Sequence, residues 1–389
     1  MKRFSINPRP DWQKRVEEYG MTYHTPNGQT YWNESAYYSF TMGEIDMLER
    51  AVAELQARCL DAAAHVIEHD RFREFGVSQP VADCIRRAWL AEPPAIYGRF
   101  DLAYDGMNPP KLLEYNADTP TSLLEASVIQ WFWFQERFPK TGRDQWNSIH
   151  ERLVAKWRSL KEWMDDTVYF AHVADPTGED LMTATYLRDT ASEAGLATVG
   201  VTMPEIGWDL DRLCFVAPDG SPVKSIFKLY PWEWMVDEEF GTHLLDTLAR
   251  AEPRDRTQWI EPIWKMLWSN KALLPVLWEL FPDHPNLLAA SFGEGIVAEP
   301  YVKKPKFGRE GANVTIVGTA QSVIEQSGGE YGADGYVYQS MANRPQFDGC
   351  YAVLGAWVID GEAAGMGIRE SESLITGNFA QFVPHLIEG

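Results

Sequence analysis

Four polar residues that could bind a ligand or take part in catalysis lie in the stretch RFDLAYDGMNPPKLLEYNADTPTS, residues 99–122. They are Arg99, Asp101, Glu114 and Asn116. Arg99 and Asp101 alternate with apolar residues, as in a strand with one buried face, and after a Gly- and Pro-containing turn the residues Lys111–Tyr115 form a returning strand. If the two strands pair antiparallel, Asp101 and Glu114 lie near each other on one sheet face. Two such carboxylates repel unless a proton or a cation separates them. The stretch therefore suggests a cation site.

The oxygen donors in this stretch favour one kind of cation. Asp101, Glu114 and Asn116 supply only hard oxygen ligands, which suit Mg²⁺ bound by one or two carboxylates, waters and substrate phosphates. The alternative is a strand-edge ion pair between Asp101 and Arg99, with Asn116 in a turn. The local sequence shows no Ser-His-Asp or Cys-His set for nucleophilic catalysis.

Basic residues further along the chain are candidates for binding phosphate. Lys304, Gly308 and Gly311 surround a predicted strand-to-strand turn, where small residues let backbone N–H groups approach phosphate oxygens. Lys271 is predicted in the first turn of a helix, where its charge opposes the helix dipole. Arg369 ends a small, apolar strand. Each also has an ordinary interpretation: a tight hairpin with surface lysines, a tolerated surface lysine, and an ion-pair arginine. The chain has neither a P-loop nor a GxGxxG motif.

Periodicity predicts the elements that must position these residues. Helical spacing predicts helices over Thr41 to about His69, Pro80–Leu90, Thr121–Phe138 and Ser269–Pro282. A βαβ unit is predicted from Val168–Val173, Leu181–Ala194 and Ala197–Met203. Strands are predicted within Tyr301–Val317 and Gly335–Met341, and a hairpin over Tyr351–Glu370 that turns at Asp360–Gly361.

Composition limits the classes of partner. The 389 residues are 45% hydrophobic, with 16 tryptophans, and contain no apolar run long enough to span a membrane. The formal charge of −21 argues against nucleic acid and favours a cationic substrate such as a polyamine, unless the acidity serves only solubility. The start of the chain lacks the apolar core of a secretory signal. The four cysteines are far apart, which predicts reduced thiols, a cytoplasmic location and no zinc site.

Five motifs in order carry a resemblance to a known family. Arg-x-Asp, Glu-x-Asn, SNKALLP, KPKFGREGANV and GMGIRE together resemble the synthetase domain of the glutathionylspermidine synthase family, an ATP-grasp type, in its short stand-alone bacterial members. The resemblance runs from about Arg9 to about His385. It implies an α/β (α+β) fold of mixed and antiparallel sheets flanked by helices. Because the metal ligands precede the lysines, it also implies a permuted connectivity.

The resemblance implies one catalytic unit over residues 1–389. Within it we expect a helical and metal-site portion over about 1–160, a βαβ segment over 161–230, and an ATP-grasp portion with a glycine-containing lid over 231–389. The implied activity is that of an ADP-forming acid–amine ligase: ATP drives amide formation from a carboxylate and an amine through an acyl phosphate, with two Mg²⁺ ions. The substrates are small molecules, such as a glutathione-like peptide and a polyamine-like amine; the oligomeric state stays open.

Position by position, the resemblance assigns the site. The metal ligands are Asp101, Glu114 and Asn116, and the catalytic arginines are Arg99 and Arg369. The ATP-binding residues are Arg99, Asp101, Lys271, Lys304, Gly311, Gln339, Ser340, Met341, Leu374, Ile375 and Thr376. The substrate-binding candidates are Thr119, Thr121, Glu233 and Arg309; of these, Glu233 is singled out from its place between two tryptophans, where an acidic group suits an ammonium ligand. The alternative to an ammonium-binding role is that the tryptophans belong to the core and Glu233 faces outward.

Two features depart from the family pattern. Bifunctional members carry an N-terminal amidase domain, whereas 98 residues precede Arg99 here, and we expect no amidase activity. Pro120 stiffens the turn that would hold the acyl substrate, so glutathione and spermidine do not follow directly. Two rival functions are a non-catalytic ATP-binding scaffold or regulator, and a hydrolase that uses Asp101 and Glu114 as paired carboxylates. The hydrolase would leave the lysines idle and would need no Mg²⁺.

Overall fold

The computed structural model describes residues 1–250, 252, 256–378 and 380–389. Its α-helices are α1 Trp12–Glu18, α2 Met42–Glu68, α3 Gln79–Ala91, α4 Gln130–Arg137, α5 Ile149–Ser159, α6 Glu179–Glu193, α7 Trp232–Met235, α8 Gly241–Ala249, α9 Met266–Ser269 and α10 Leu273–Leu280. Its strands are β1 Lys2–Ser5, β2 Ala36–Phe40, β3 Tyr97–Ala103, β4 Lys111–Asn116, β5 Thr167–His172, β6 Ala197–Thr202, β7 Gly207–Asp209, β8 Cys214–Val216, β9 Ser225–Leu229, β10 Gln258–Ile260, β11 Ala290–Ser291, β12 Tyr301–Pro305, β13 Thr315–Val317, β14 Val323–Gln326, β15 Tyr336–Ser340, β16 Gln346–Phe347, β17 Cys350–Ile359, β18 Glu362–Ser371, β19 Gln381–Val383 and β20 His385–Ile387.

The central sheet is antiparallel and has the order β19-β18-β17-β3-β4, with β16 added beside β17. Asp101 pairs with Glu114 across β3 and β4, as the sequence predicts. The hairpin of β17 and β18 turns at Asp360 and Gly361, both with positive φ, which matches the twist of a tight hairpin. Behind the carboxylates the rings of Phe100 and Tyr115 stack with centroids 3.8 Å apart. This packing fixes which face of the strands points away from the core.

A second sheet is fully parallel and has the order β10-β9-β5-β6. Helix α6 connects β5 with β6, which confirms the predicted βαβ unit. In open parallel sheets, ligands bind beyond the carboxyl ends of the strands. The loops that follow β5, β6 and β9 lie at these ends, and they reach the cavity described below.

A third, antiparallel sheet has the order β11-β15-β12-β13-β14. Strands β12 and β13 form the predicted strand–loop–strand unit, with the glycine-containing loop of residues 306–314 between them. A three-stranded sheet, β1-β2-β20, joins the two ends of the chain, and β7 pairs with β8. The fold is therefore mixed α/β, as predicted. The division into three portions remains a prediction.

Helix α2 shows why one of the long helices forms where the sequence predicts it. Thr41 and Glu44 form a reciprocal capping box at its start, which satisfies two backbone N–H groups. Buried residues at helical spacing then face α10 and β18. None of the helices in the described part of the chain has both the length and the apolar character that crossing a membrane requires.

Two predicted helices differ from the structure. The helix expected from Thr121 begins later: Thr121 and Ser122 are not helical, Ser122 has a positive φ, and a π-helical segment, Glu125–Ile129, leads into α4. Lys271 precedes α10 and does not lie in its first turn, because Asn270 adopts an extended conformation and its side chain accepts the Ala272 N–H. The Lys271 N–H instead donates to the Lys306 carbonyl.

Candidate functional site

The three larger sheets surround a cavity of about 770 Å³. It is lined by nearly all the residues that the sequence predicts for the site: Arg99, Asp101, Glu114, Asn116, Thr119, Thr121, Lys271, Lys304, Arg309, Gly311, Gln339, Ser340, Met341, Arg369, Leu374, Ile375 and Thr376. Glu233 is the exception among them. Residues predicted from five separate motifs thus meet on one surface.

The Asp101 carboxylate lies between two arginines. The Nε of Arg99 is 2.7 Å from Oδ1, and Nη2 of Arg369 is 2.6 Å from Oδ2. A further guanidinium nitrogen of Arg99 donates to the Thr121 carbonyl at 2.6 Å. Both arginines are therefore directed at the same carboxylate, and Arg99 is tied to the loop that follows β4.

Glu114 lies against two lysines. Its Oε2 is 2.9 Å from Nζ of Lys271, which also donates to the Gly308 carbonyl at 2.5 Å. Although burial opposes ionisation, the charges of Lys271 and Lys304 hold the pKa of Glu114 well below its usual range. Burial lowers the pKa of Lys304 to about 7. Lys304 donates to the Leu113 carbonyl at 2.9 Å and to the Gln339 side chain at 2.7 Å.

The donor set fits a magnesium ion that is shared with a ligand. The Asn116 amide lies 3.1 Å from Glu114 Oε1 and 3.4 Å from Asp101 Oδ2, so the three predicted ligands converge. Among the described residues no group of three or more His, Cys, Asp and Glu side chains could hold a metal alone. Two carboxylates and an amide leave coordination positions for phosphate oxygens and water, which is how Mg²⁺ is usually held.

The glycine-containing loop packs against the segment of residues 374–376. Gly311 has φ +69°, and a Cβ built on it would lie 2.7 Å from the Thr376 carbonyl oxygen and 2.9 Å from Ile375. The Glu325 carboxylate accepts the Leu374 N–H at 3.1 Å and so holds this segment. The backbone therefore makes a close approach that only glycine permits.

Arg309 of the same loop joins the loop after β4 to helix α7. It donates to Thr119 Oγ1 at 2.8 Å and to Glu233 Oε1 at 2.7 Å, and its guanidinium lies over the Trp234 ring at 5.5 Å. The pattern predicted Glu233 as a ligand for an ammonium group. In the structure its carboxylate instead has Arg309 as its cationic partner and does not line the cavity.

Sequence reasoning missed an acidic cluster across the cavity, formed by Asp175, Glu179 and Asp180. These residues follow β5 and open α6. Asp175 accepts the N–H groups of Thr177 and Gly178, each at 2.7 Å, which shapes the turn. Burial and the neighbouring carboxylates raise the pKa of Asp180 to about 7 and also raise the pKa of Glu179. The signal was the DPTGED turn before a predicted helix.

Local sequence also does not predict the ion pair that anchors the loop after β4. Asp118 Oδ1 lies 2.6 Å from Nζ of Lys228, and both side chains are fully buried. The other Asp118 oxygen accepts the Trp232 N–H at 3.0 Å. This pair ties the loop carrying Thr119 and Thr121 to the end of β9.

Comparison with known proteins identifies relatives across nearly the whole chain. Residues 3–388 match the family described as "Glutathionylspermidine synthase preATP-grasp". A Haemophilus influenzae protein named "Putative acid--amine ligase" is 40% identical over 398 residues, covering 99% of each chain. Trypanothione synthetase of Crithidia fasciculata is 32% identical over 82% of this chain and 51% of its own length. The bifunctional glutathionylspermidine synthetase/amidase of Escherichia coli is 26% identical over 97% of this chain and 63% of its own length.

A solved structure shares the fold. The apo form of a glutathione synthetase-like effector from Globodera pallida superposes with a TM-score of 0.57 at 10% identity, covering 97% of this chain and 98% of that one. At this identity the likeness concerns the fold alone. It places the mixed sheets described above among those of glutathione synthetase-like proteins.

Proposed function

The chain belongs to the glutathionylspermidine synthase family and is an amide-bond-forming ligase of the carboxylate–amine type, and we propose that it proceeds through an acyl phosphate made with Mg·ATP. One observation carries the proposal. Two carboxylates, an asparagine amide, two lysines and two arginines converge on one cavity beside a glycine-containing loop. Phosphoryl transfer needs cations around developing negative charge and needs no protein nucleophile.

Each group has a role at the phosphate end of the cavity. Asp101, Glu114 and Asn116 would hold Mg²⁺, which when bound would neutralise the phosphates of ATP. Lys271 and Lys304 bind those phosphates, and the loop containing Gly311 covers them and excludes water. The segments of residues 339–341 and 374–376 bind the rest of the nucleotide.

The two arginines act where the acid reacts. Arg99 and Arg369 both reach Asp101, so they lie beside the metal site and can bind the transferring phosphoryl group. Later they stabilise the tetrahedral oxyanion that forms when the amine attacks; one such contact is typically worth about 100-fold in rate. Thr119, Thr121 and Arg309 hold the acid, because they line the cavity next to these arginines.

The amine is assigned to the acidic cluster rather than to Glu233. Asp175, Glu179 and Asp180 line the cavity, whereas the Glu233 carboxylate already has Arg309 as its partner. Three neighbouring carboxylates favour a ligand with several positive charges. This supports a polyamine-like amine and a small peptide-like acid as the substrates.

The test is phosphate release from Mg·ATP, with pools of peptides and amino acids crossed against pools of polyamines and other amines. Mass spectrometry would identify a product lighter by one water than its two parents. We expect release that requires both an acid and an amine, and that falls at least about 100-fold in Asp101→Ala.

Asp46→Ala, on the exposed side of α2, is the matched control and should retain full activity. Binding of Mg·ATP without product from any pair would contradict the proposal and favour a binding protein. Turnover that does not require Mg²⁺ would contradict the metal site.

A further inference from the structure

Glu125 is a buried carboxylate that the roles above do not use. It is the first residue of the π-helical segment Glu125–Ile129 and is 0% exposed. Neither of its carboxylate oxygens has a hydrogen-bond partner among the described residues. A buried carboxylate without partners is costly, and π-helical turns are frequent at functional sites. The residue therefore requires an explanation beyond packing.

Tyr31 lines the cavity and is also a neighbour of Glu125. Its hydroxyl is 2.9 Å from Ser122 Oγ, and both residues line the cavity. The same hydroxyl is near enough to Glu125 to lower the pKa of that carboxyl, although burial acts more strongly in the opposite direction. Tyr31 is thus a cavity-lining side chain whose hydroxyl also interacts with Glu125.

The charged and titratable groups around Glu125 come from three directions. Glu179 faces it from α6, Arg99 from β3, and Tyr23 and Tyr31 from the segment between α1 and β2. Glu179 belongs to the acidic cluster assigned to the amine. Glu125 therefore interacts electrostatically with a member of the cluster at which the attacking nitrogen is expected.

We propose that Glu125, acting through the Tyr31 hydroxyl, receives the proton that the amine must lose before it attacks. The inference rests on the proposed ligase function and extends it to proton transfer. The amine reaches the cavity as an ammonium ion, which has no lone pair and cannot attack an acyl phosphate. Glu125 is a positioning residue for Tyr31 as well as the final proton acceptor.

The proton transfer conserves atoms and charge. An ammonium N–H bond breaks as its proton passes to the Tyr31 oxygen, while the Tyr31 hydroxyl proton passes to a Glu125 oxygen. Tyr31 stays neutral, Glu125 becomes a neutral acid, and the nitrogen lone pair is free. The nitrogen then bonds to the acyl carbon, the carbon–oxygen bond to phosphate breaks, and the second proton of the nitrogen leaves with the phosphate.

The environment suits a proton acceptor near neutral pH. Burial, which is the main cause, and the charge of Glu179 raise the pKa of Glu125 to about 7. General bases are most effective when their pKa lies close to the operating pH. An ordinary exposed carboxylate would be too weak a base to hold the proton.

The experiment compares two nucleophiles in Glu125→Gln, each with Mg·ATP and the acid pool of the first assay. Hydroxylamine is mostly uncharged at neutral pH, so it attacks without first losing a proton, and it traps an acyl phosphate as a hydroxamate. Spermidine and the other amines of the pool arrive protonated. We expect amide formation to fall at least about 100-fold, the usual contribution of a general base, with hydroxamate formation unchanged within about threefold. Tyr31→Phe should likewise lose amide formation and keep hydroxamate formation. Glu125→Asp should retain part of the amide formation.

Thr183→Val is the matched control, because Thr183 Oγ1 is another buried group without a hydrogen-bond partner. It should leave both reactions unchanged. Equal loss of both reactions in Glu125→Gln would show a structural role, and full amine activity would exclude any role; either result overturns the inference. Absence of hydroxamate in the wild-type protein with every acid would instead refute the ligase proposal itself.

A second measurement needs no substrate. Infrared difference spectra of the wild-type protein minus Glu125→Gln should show a protonated carboxyl band at pH 5.5 that disappears by pH 8.5. A band that persists throughout would mean a permanently neutral side chain, and it would overturn the inference.

Discussion

The carboxylates of the cavity differ in how their charge is balanced, and this decides which ligand each can bind. Asp101 and Glu114 contact arginine or lysine side chains directly. Asp175 accepts backbone N–H groups of its own turn, and burial together with the charges of Glu179 and Asp175 raises the pKa of Asp180 to about 7. The first pair is suited to a metal surrounded by phosphates and cations. The second group is suited to a ligand that brings its own positive charge.

This difference predicts a pH dependence for amine binding. Asp180 loses its proton as the pH rises through about 7, and only the ionised form attracts an ammonium group. The dissociation constant of spermidine, measured by calorimetry, should therefore fall about tenfold between pH 6 and pH 8, since the ionised fraction rises from about 0.1 to about 0.9. In Asp180→Asn it should be larger and should depend less on pH in this range.

Asp46→Asn serves as the control for the loss of one acidic charge from the surface. A dissociation constant that rises with pH in the wild-type protein, or a pH profile unchanged in Asp180→Asn, would remove Asp180 from the amine site.

At the scale of elements, the glycine-containing loop works through contact with the segment of residues 374–376. Gly311→Ala would place a Cβ 2.7 Å from the Thr376 carbonyl oxygen, at a φ of +69° that costs a residue with a side chain about 1 kcal/mol. We expect the loop to move away from the phosphates and the KM for ATP to rise about tenfold, a change equivalent to about 1.4 kcal/mol. Steady-state phosphate release would measure this.

Gly328→Ala, in the segment after β14, is the matched control, because its Cβ would meet no atom within 4 Å. If both variants show the same KM for ATP, the close approach at Gly311 does not position the loop.

Elements with strong local patterns could be predicted, whereas contacts between distant segments could not. The strand pair of Asp101 and Glu114 follows from alternation and a turn, and both strands lie close in the sequence. The pair of Asp118 and Lys228 is separated by 110 residues, and nothing in either neighbourhood indicates the other. The apolar run after Thr121 has helical spacing, but the spacing does not show that the loop is held by Asp118 and Arg99 and that the helix therefore starts later.

The same reason explains the outcome for the site. The site residues could be predicted because the five motifs and their order identify them. The residues that each of them contacts could not be predicted. Glu233 was predicted as an ammonium ligand from its neighbouring tryptophans, yet its partner Arg309 comes from a loop 76 residues away. Glu125 and Asp180 acquire their unusual properties from burial, which local sequence does not report.

At the scale of the whole molecule, three sheets of different construction each supply one part of the cavity. The central antiparallel sheet carries Asp101, Glu114 and Arg369, and the sheet of β11–β15 carries Lys304 and Gln339. The parallel sheet presents the acidic cluster after β5. These parts meet only in the folded chain, and under the proposed function the lysines and arginines of one cavity bind phosphate while its acidic cluster binds the amine.

The net charge of −21 predicts that added salt slows the reaction with a polyamine. Raising the ionic strength from about 0.01 to about 0.1 M shortens the screening length from about 30 to about 10 Å, which weakens the attraction between an acidic protein and a polyamine. We expect kcat/KM for spermidine to fall at least about threefold, because long-range steering is lost first. With hydroxylamine, which is uncharged, kcat/KM should stay constant over the same range. If the two nucleophiles respond equally, the acidity of the chain does not guide its substrate and serves solubility alone.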